Sequence, residues 1–179
     1  MKSNNKGKDI IDMVPAFHEA GHAVIAVIVS KHFEYVTVKD AIDEDGKAAP
    51  GCIKWKIEGE VIEYAIPPPG WQVNLDDVMA SLGGLVAQQI YTETKDILEG
   101  WGDRQKALDQ IRLQAGLRHL KDDDPLVDGI YQAAFKKCEE CLKSRWNQVE
   151  NVAKSLYKEG RLNERQVRTL ITQAMDKAG

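Results

Sequence analysis

The sequence predicts a mainly helical domain with a small β-sheet, which is an α+β fold. Apolar residues recur at steps of three or four through most of the chain, as they do on one face of a helix. Two short segments instead alternate apolar and polar residues, a pattern typical of strands. Hydrophobic residues make up 43% and charged residues 29% of the 179 positions, which favours one folded domain over a disordered chain.

The first helix is predicted from about Met13 to Ser30, after a polar segment, residues 1–12, that we expect to be flexible. Pro15 falls in the first turn of this helix, where a missing backbone N–H is tolerated. The helix is rich in apolar residues but too short in its apolar run to cross a bilayer, which takes about 20 residues.

Two strands are predicted next, Phe33–Val38 and Cys52–Ile57, and we expect them to pair. Residues 43–51 between them are polar and contain Gly and Pro, which predicts an exposed and mobile hairpin loop. Residues 67–70, Pro-Pro-Pro-Gly, can continue neither a helix nor a central strand. This segment is predicted to be an internal linker between the sheet and the helices that follow.

Helical periodicity returns from Gln72 to about Tyr91 and includes the pair Gly83-Gly84. A glycine inside a helix costs up to about 1 kcal/mol relative to alanine, so we expect another backbone to approach closely there. A further helix is predicted from Asp103 to about Leu120, with Asp103 as its N-cap or in its first turn.

The C-terminal part predicts one long amphipathic helix from Leu126 to about Leu156, ended by Gly160. Asn163 and Glu164 can then cap a short final helix. The three cysteines are an odd number without a second Cys pair, so we expect reduced thiols and no disulfide framework or zinc knuckle.

The segment His18-Glu19-Ala20-Gly21-His22 carries the clearest chemical pattern of the chain. Two histidines four residues apart on a helix lie one turn above each other, so their imidazoles can share a metal ion. Glu19 is placed beside that metal and can take a proton from a water molecule on it. The alternative is a chance pattern on a surface helix, but the surrounding residues are apolar, where unpaired imidazoles are costly.

Three segments together resemble the peptidase domain of FtsH-type ATP-dependent proteases. Residues 17–23, Phe-His-Glu-Ala-Gly-His-Ala, are similar to the zinc helix of that family. Residues 81–89 are similar to its Gly-Gly helix, and residues 102–107 resemble its segment that bears an aspartate zinc ligand. The resemblance covers most of the chain and implies an FtsH-like peptidase fold.

The resemblance also implies that His18, His22 and Asp103 bind zinc and that Glu19 is the general base. Other carboxylates in the same region are alternatives to Asp103 as the third ligand; Glu99 is the first of these, followed by Asp96 and Asp109. Trp101 stands beside this region and is a candidate for lining the substrate cleft.

Several partner and function classes are disfavoured by the sequence. The net charge is −4, and no basic patch indicates nucleic acid. The chain has no Gly-x-x-x-x-Gly-Lys-Ser/Thr phosphate loop, and no signal-type apolar segment follows its first residues. We therefore expect a cytoplasmic, stand-alone relative that lacks the AAA+ ATPase region, and the initiator Met1 favours this over an excised domain.

These expectations combine into one functional hypothesis. Residues 13–179 would form a zinc metallopeptidase domain that hydrolyses peptide bonds in flexible or unfolded proteins, independently of ATP. Such a substrate could lie as an added β-strand on one of the two predicted strands. The alternative is a catalytically silent, zinc-bound interaction or regulatory module. Assembly as a homo-oligomer remains open, since the family forms hexamers largely through its ATPase ring.

Overall fold

A computed structural model describes residues 5–39, 41–42, 48–56, 73–94 and 101–176, and the structural statements below concern these residues. Along the chain, one helix precedes a short β-rich region and the other described helices follow it. The elements in chain order are α1 (Asn5–Ile28), β1 (Phe33–Thr37), β2 (Ala41–Ile42), β3 (Ala48–Ala49), β4 (Cys52–Trp55), α2 (Leu75–Thr92), α3 (Trp101–Gln114), α4 (Pro125–Lys143), α5 (Trp146–Glu159), β5 (Arg161–Asn163) and α6 (Glu164–Asp176). The predicted α+β class, mainly helical with a small sheet, is confirmed.

Helix α1 is the centre of the helical part and packs against α2, α5 and, more lightly, α4 and α6. Its closest neighbour is α2, and the two backbones meet at Gly21 and Gly83. A Cβ placed on Gly83 would lie 2.8 Å from the Gly21 carbonyl oxygen, so neither position has room for a side chain. The close approach predicted for the Gly-Gly pair is thereby confirmed.

The sheet has three antiparallel strands in the order β4-β1-β5. The predicted pairing of the first two strands is confirmed, with Val36 opposite Ile53 on one side and opposite Leu162 on the other. β2 and β3, which lie between β1 and β4 in the sequence, form a separate two-stranded ladder. Residues 43–47 and 67–70, predicted to be a mobile loop and a linker, lie outside the described residues.

The apolar core joins the helices to the three-stranded sheet. Val24, Ile25, Phe33 and Val36 are fully buried, so the end of α1 and the central strand share one interior. Phe17 stacks on Tyr91 of α2 with ring centroids 3.7 Å apart and on Trp146 of α5 at 5.6 Å. These aromatic contacts hold α1 between α2 and α5.

The single long helix predicted from Leu126 to Leu156 is wrong, because a two-residue turn at Ser144 and Arg145 separates α4 from α5. The Ser144 hydroxyl donates to the Cys141 carbonyl at 2.9 Å, a local bond that competes with helix continuation. Apolar spacing continues across so short a turn, so periodicity alone did not separate the two helices.

Other element boundaries also differ from the predictions. Helix α1 begins at Asn5, eight residues before the predicted start at Met13. Helix α3 ends at Gln114 instead of near Leu120, because Gly116 takes a left-handed conformation with φ of 69° and turns the chain. Strand β5 was not predicted, since three residues are too few to establish alternation.

The predicted cap of the final helix is present. The Asn163 side chain accepts from the Gln166 N–H at 2.9 Å, and the Gln166 side chain accepts from the Asn163 N–H at 2.8 Å. No disulfide joins Cys52, Cys138 and Cys141. No helix among the described residues is long and apolar enough to span a bilayer.

Candidate metal centre

Helix α1 presents His18 and His22 on the face that it turns towards α2. The two rings have centroids 5.0 Å apart and meet edge to face, as expected for residues one helical turn apart. His22 is buried and His18 is partly buried. The histidine pair of the sequence motif is therefore a local product of helix geometry.

The third group comes from α3, which begins 73 residues after α1 ends. Asp103 lies in the first turn of α3, as predicted, and its side chain is 15% exposed. Its Oδ2 atom is 3.2 Å from Nε2 of His18 and 3.1 Å from Nε2 of His22. One ligand atom from each of the three residues lies within 4.8 Å of the others, so the group can hold a metal ion.

The Nδ1 atom of each imidazole forms a hydrogen bond to a group on α2. Nδ1 of His22 is 2.8 Å from the Ala80 carbonyl oxygen, and because a carbonyl only accepts, this nitrogen is the donor. Nδ1 of His18 donates to Oε1 of Gln88 at 2.9 Å. In the neutral imidazole the proton is then on Nδ1, and the Nε2 lone pair of each ring faces Asp103.

Gly84 provides the space for both rings. A Cβ placed on Gly84 would lie 2.5 Å from Nε2 of His18 and 2.6 Å from Cδ2 of His22. Those distances are well inside van der Waals contact, so a side chain here would displace the imidazoles. The two glycines of α2 thus have separate tasks, Gly83 in packing against α1 and Gly84 in admitting the histidines.

Glu19 lies beside the histidine pair, on the side where the chain enters β4. It is only 5% exposed, and its carboxylate lies against Gly51, where an added Cβ would be 2.7 Å from Oε1. Its Oε2 atom is buried without a hydrogen-bond partner among the described residues. Burial raises the pKa of Glu19, with neighbouring histidines opposing and Asp103 adding to the rise, and a raised pKa suits a group that exchanges protons.

The histidines and Asp103 shift one another's pKa values. Burial lowers the pKa of His22, but the Asp103 carboxylate outweighs burial and raises it to about 9. Burial likewise raises the pKa of Asp103, yet the two histidines hold it far below its usual range. Oδ2 of Asp103 is within 3.2 Å of both Nε2 atoms and is buried without a hydrogen-bond partner among the described residues. Two nitrogen lone pairs and one buried carboxylate oxygen, all converging, fit a divalent metal ion.

Three other carboxylates, Glu99, Asp96 and Asp109, were alternatives to Asp103 as the third metal ligand. Asp109 lies on α3 but its side chain is 60% exposed and pairs with Arg112 and Gln105, so it is not part of the cluster. Glu99 and Asp96 lie outside the described residues, and so does the side chain of Trp101. Among the described residues, the group that can hold a metal ion is the one predicted.

Four contributors to this site were not predicted from the sequence: Gln88, the Ala80 carbonyl, Gly51 and the specific role of Gly84. Gln88 lies four residues after Gly84, on the same helix face, and this spacing was its only local signal. A backbone carbonyl has no sequence signal, since every residue has one.

Comparison of the chain with protein-family models gives no match, and comparison with curated proteins gives none either.

Proposed function

We propose that this protein is a zinc-dependent metalloendopeptidase of the FtsH-like type, acting on flexible or unfolded polypeptides. The observation that carries the proposal is the convergence of His18, His22 and Asp103 with Glu19 beside them. The resemblance of the three sequence segments described above is in keeping with it.

Zinc is the metal that we propose, because two imidazoles and one carboxylate form a three-ligand set that leaves a fourth position for a reactant. A zinc ion bound there would lower the pKa of water to about 7 and would polarise a peptide carbonyl. His18 and His22 would hold it through Nε2, and Asp103 would hold it through Oδ2. Gln88 and the Ala80 carbonyl keep both rings in the tautomer that metal binding requires.

Glu19 would act as the proton carrier of the reaction. Its carboxylate is largely enclosed against Gly51, and burial raises its pKa. In hydrolysis it would accept a proton from the attacking water and deliver a proton to the departing amine. A group with a raised pKa serves both steps at neutral pH better than an exposed glutamate does.

The substrate would bind as an extended chain along β4. Of the two strands considered from the sequence, β1 is central and paired on both sides, whereas β4 pairs with β1 alone in the described part of the chain. Strand β4 directly follows Gly51, which contacts Glu19. A peptide added to this edge would therefore pass beside the proposed general base. Folded proteins cannot present such a strand without first opening.

A metal-bound module without catalysis is the second candidate, and the low exposure of Glu19 and His22, 5% and 6%, favours it. A purely structural zinc site is normally closed by four protein ligands. Within residues 5–39, 41–42, 48–56, 73–94 and 101–176, His18, His22 and Asp103 are joined by no fourth ligand residue. A set of three ligand residues among the described residues favours the catalytic proposal.

The deciding experiment measures zinc and cleavage on the same preparations. We expect about one zinc ion per chain by elemental analysis, and cleavage of an unfolded test protein by the wild type. The substitution Glu19→Gln should keep the zinc but lower the cleavage rate by about 10² to 10⁴, because the proton carrier is lost. Glu139→Gln, on the exposed face of α4, is the control and should retain full activity.

Three outcomes would contradict the proposal. A protein without bound zinc after purification in its presence would exclude the metal site. Equal cleavage by the wild type and the Glu19→Gln variant would exclude the proposed role of Glu19. Zinc binding without any cleavage by the wild type would instead support the catalytically silent module.

A further inference from the structure

A cavity of about 280 Å³ opens between the middle of α1, the end of β1 and the C-terminal end of α5. Its apolar wall consists of Pro15, Ala16, Val38, Pro50 and Tyr157. This volume accommodates one large side chain but not a drug-sized ligand. Tyr157 is 52% exposed, so its ring is accessible from solvent at the mouth of the cavity.

The cavity adjoins the proposed catalytic centre through two separate segments of the chain. On α1, Ala16 and Pro15 precede Glu19 by three and four residues, so they lie about one turn, or 5.4 Å along the axis, from it and on the same face. On the other side, Pro50 lines the cavity while the next residue, Gly51, contacts the Glu19 carboxylate. A peptide that lay along β4 and reached Glu19 would therefore come close to this cavity.

The charges at the rim restrict what can enter. Lys39 and Lys158 line the cavity together with a single carboxylate, Glu159. Within the described part of the chain, no carboxylate forms an ion pair with the ammonium group of Lys39 or of Lys158. Their positive charges disfavour a lysine or arginine occupant, and the apolar wall favours an aromatic or long aliphatic one.

We propose that this cavity is a substrate subsite that receives a large apolar side chain close to the scissile bond and rejects a basic one. The inference rests on the proposed peptidase function and adds to it the residue preference of the enzyme. Tyr157 supplies the aromatic wall of the subsite, and Lys39 supplies charge selection at its rim.

The test uses the full chain, loaded with zinc, and a set of quenched fluorescent peptides that differ at one position, which is Phe, Leu, Ala or Lys. We expect the wild type to cleave the Phe and Leu peptides about tenfold or more faster, in kcat/KM, than the Ala peptide, and the Lys peptide most slowly. Tyr157→Ala should bring the Phe and Ala peptides close to equal. Lys39→Glu should raise kcat/KM for the Lys peptide relative to the others.

Leu126→Ala is the matched control, because Leu126 is as exposed as Tyr157, at 54%, and lies on α4 away from the cavity. This variant should keep the wild-type preference. Circular dichroism of each variant checks that the fold is retained. A wild-type enzyme that cleaves all four peptides equally, or a preference that Tyr157→Ala leaves unchanged, would overturn the subsite.

A second measurement separates the subsite from the proposed function. The Glu19→Gln variant loaded with zinc is titrated with the labelled Phe and Ala peptides, and binding is followed by fluorescence anisotropy. Stronger binding of the Phe peptide, removed by adding Tyr157→Ala, supports the subsite even if the wild type cleaves nothing. Equal binding of both peptides contradicts the subsite even if the wild type proves to be a protease.

Discussion

At the scale of single residues, each histidine of the cluster has both ring nitrogens committed. Nδ1 donates to α2 and Nε2 faces Asp103, so neither ring can rotate without losing a buried contact. His22 is held by a backbone carbonyl, which no side-chain substitution removes. His18 depends instead on the side chain of Gln88, and this makes Gln88 a testable positioning residue.

We predict that Gln88→Leu weakens zinc binding by about 10- to 100-fold, because the His18 ring loses the acceptor that orients it and selects its tautomer. Leucine has a similar size and an equal preference for helices, so α2 should remain intact. The measurement is the zinc dissociation constant, determined by competition with a chelating dye.

Gln132→Leu is the control for this prediction. Gln132 is exposed on α4, and its side chain donates to Asp128 one turn earlier in the same helix. It should bind zinc like the wild type. Unchanged zinc affinity in Gln88→Leu would show that His18 does not need this hydrogen bond.

At the scale of elements, the contact between α1 and α2 determines whether the site can form. The helices approach closely at Gly21 and Gly83, which brings Gly84, Gln88 and the Ala80 carbonyl to the histidines. Because all of these contacts lie on one helix, a small displacement of α2 would move every one of them together. The metal site and the helix packing should therefore be lost together.

We predict that Gly83→Ala destabilises the protein by about 1–3 kcal/mol, since its methyl group would lie 2.8 Å from the Gly21 carbonyl oxygen and force the helices apart. This loss exceeds the gain of up to about 1 kcal/mol that alanine normally brings to a helix interior. Urea denaturation measures the change in the free energy of unfolding.

Gly129→Ala is the matched control, because Gly129 lies inside α4 and a Cβ there would meet nothing within 4 Å. We expect it to stabilise the protein by about 0.5–1 kcal/mol through helix preference alone. If Gly83→Ala were equally stabilising, close packing of α1 on α2 could not be the reason for the glycine.

At the scale of the whole molecule, Glu164 connects the C-terminal helix to the N-terminal half. Its carboxylate is 2.8 Å from Nδ1 of His32, accepts from the backbone N–H of Phe33 and pairs with Lys56 and Arg168. Burial raises the pKa of Glu164, but these hydrogen bonds, with Arg168 foremost, outweigh it and lower the pKa to about 2. The depressed pKa means that the folded state favours the charged carboxylate.

We predict that the contribution of Glu164 to stability is lost in acid. A carboxyl whose pKa falls from an ordinary 4.5 to about 2 on folding contributes fully above pH 4.5 and loses its contribution as the pH falls towards 2. Glu164→Gln should therefore be less stable than the wild type at pH 7, by on the order of 1–3 kcal/mol. The difference should shrink steadily between pH 4.5 and 2, as measured by thermal unfolding at a series of pH values.

Glu139→Gln serves as the control here as well, since Glu139 pairs with Lys143 on an exposed helix face. Such a pair contributes about 0–1 kcal/mol, so this variant should follow the wild type at every pH. A stability difference between Glu164→Gln and the wild type that did not change with pH would show that the charge of Glu164 is not involved.

The sequence by itself determined the features that depend on neighbours within a few residues. The spacing of His18 and His22 places both rings on one face because an α-helix has 3.6 residues per turn, whatever packs around it. Apolar periodicity predicted the helices, and alternation predicted the pair β1 and β4. Asp103 was predicted as the third ligand from the resemblance and not from spacing. Glu99 and Asp109 lie within a few residues of Asp103, and spacing alone did not distinguish among the three.

Only the tertiary structure decided which distant groups meet the histidines. Gln88 and the Ala80 carbonyl are 70 and 58 residues away from their partners. Their positions depend on how closely α2 can approach α1, and Asp103 depends in turn on how α3 packs against α2. Backbone geometry sets local spacing in every helix, whereas contacts between helices follow from the shapes of all the side chains between them, which no short pattern contains.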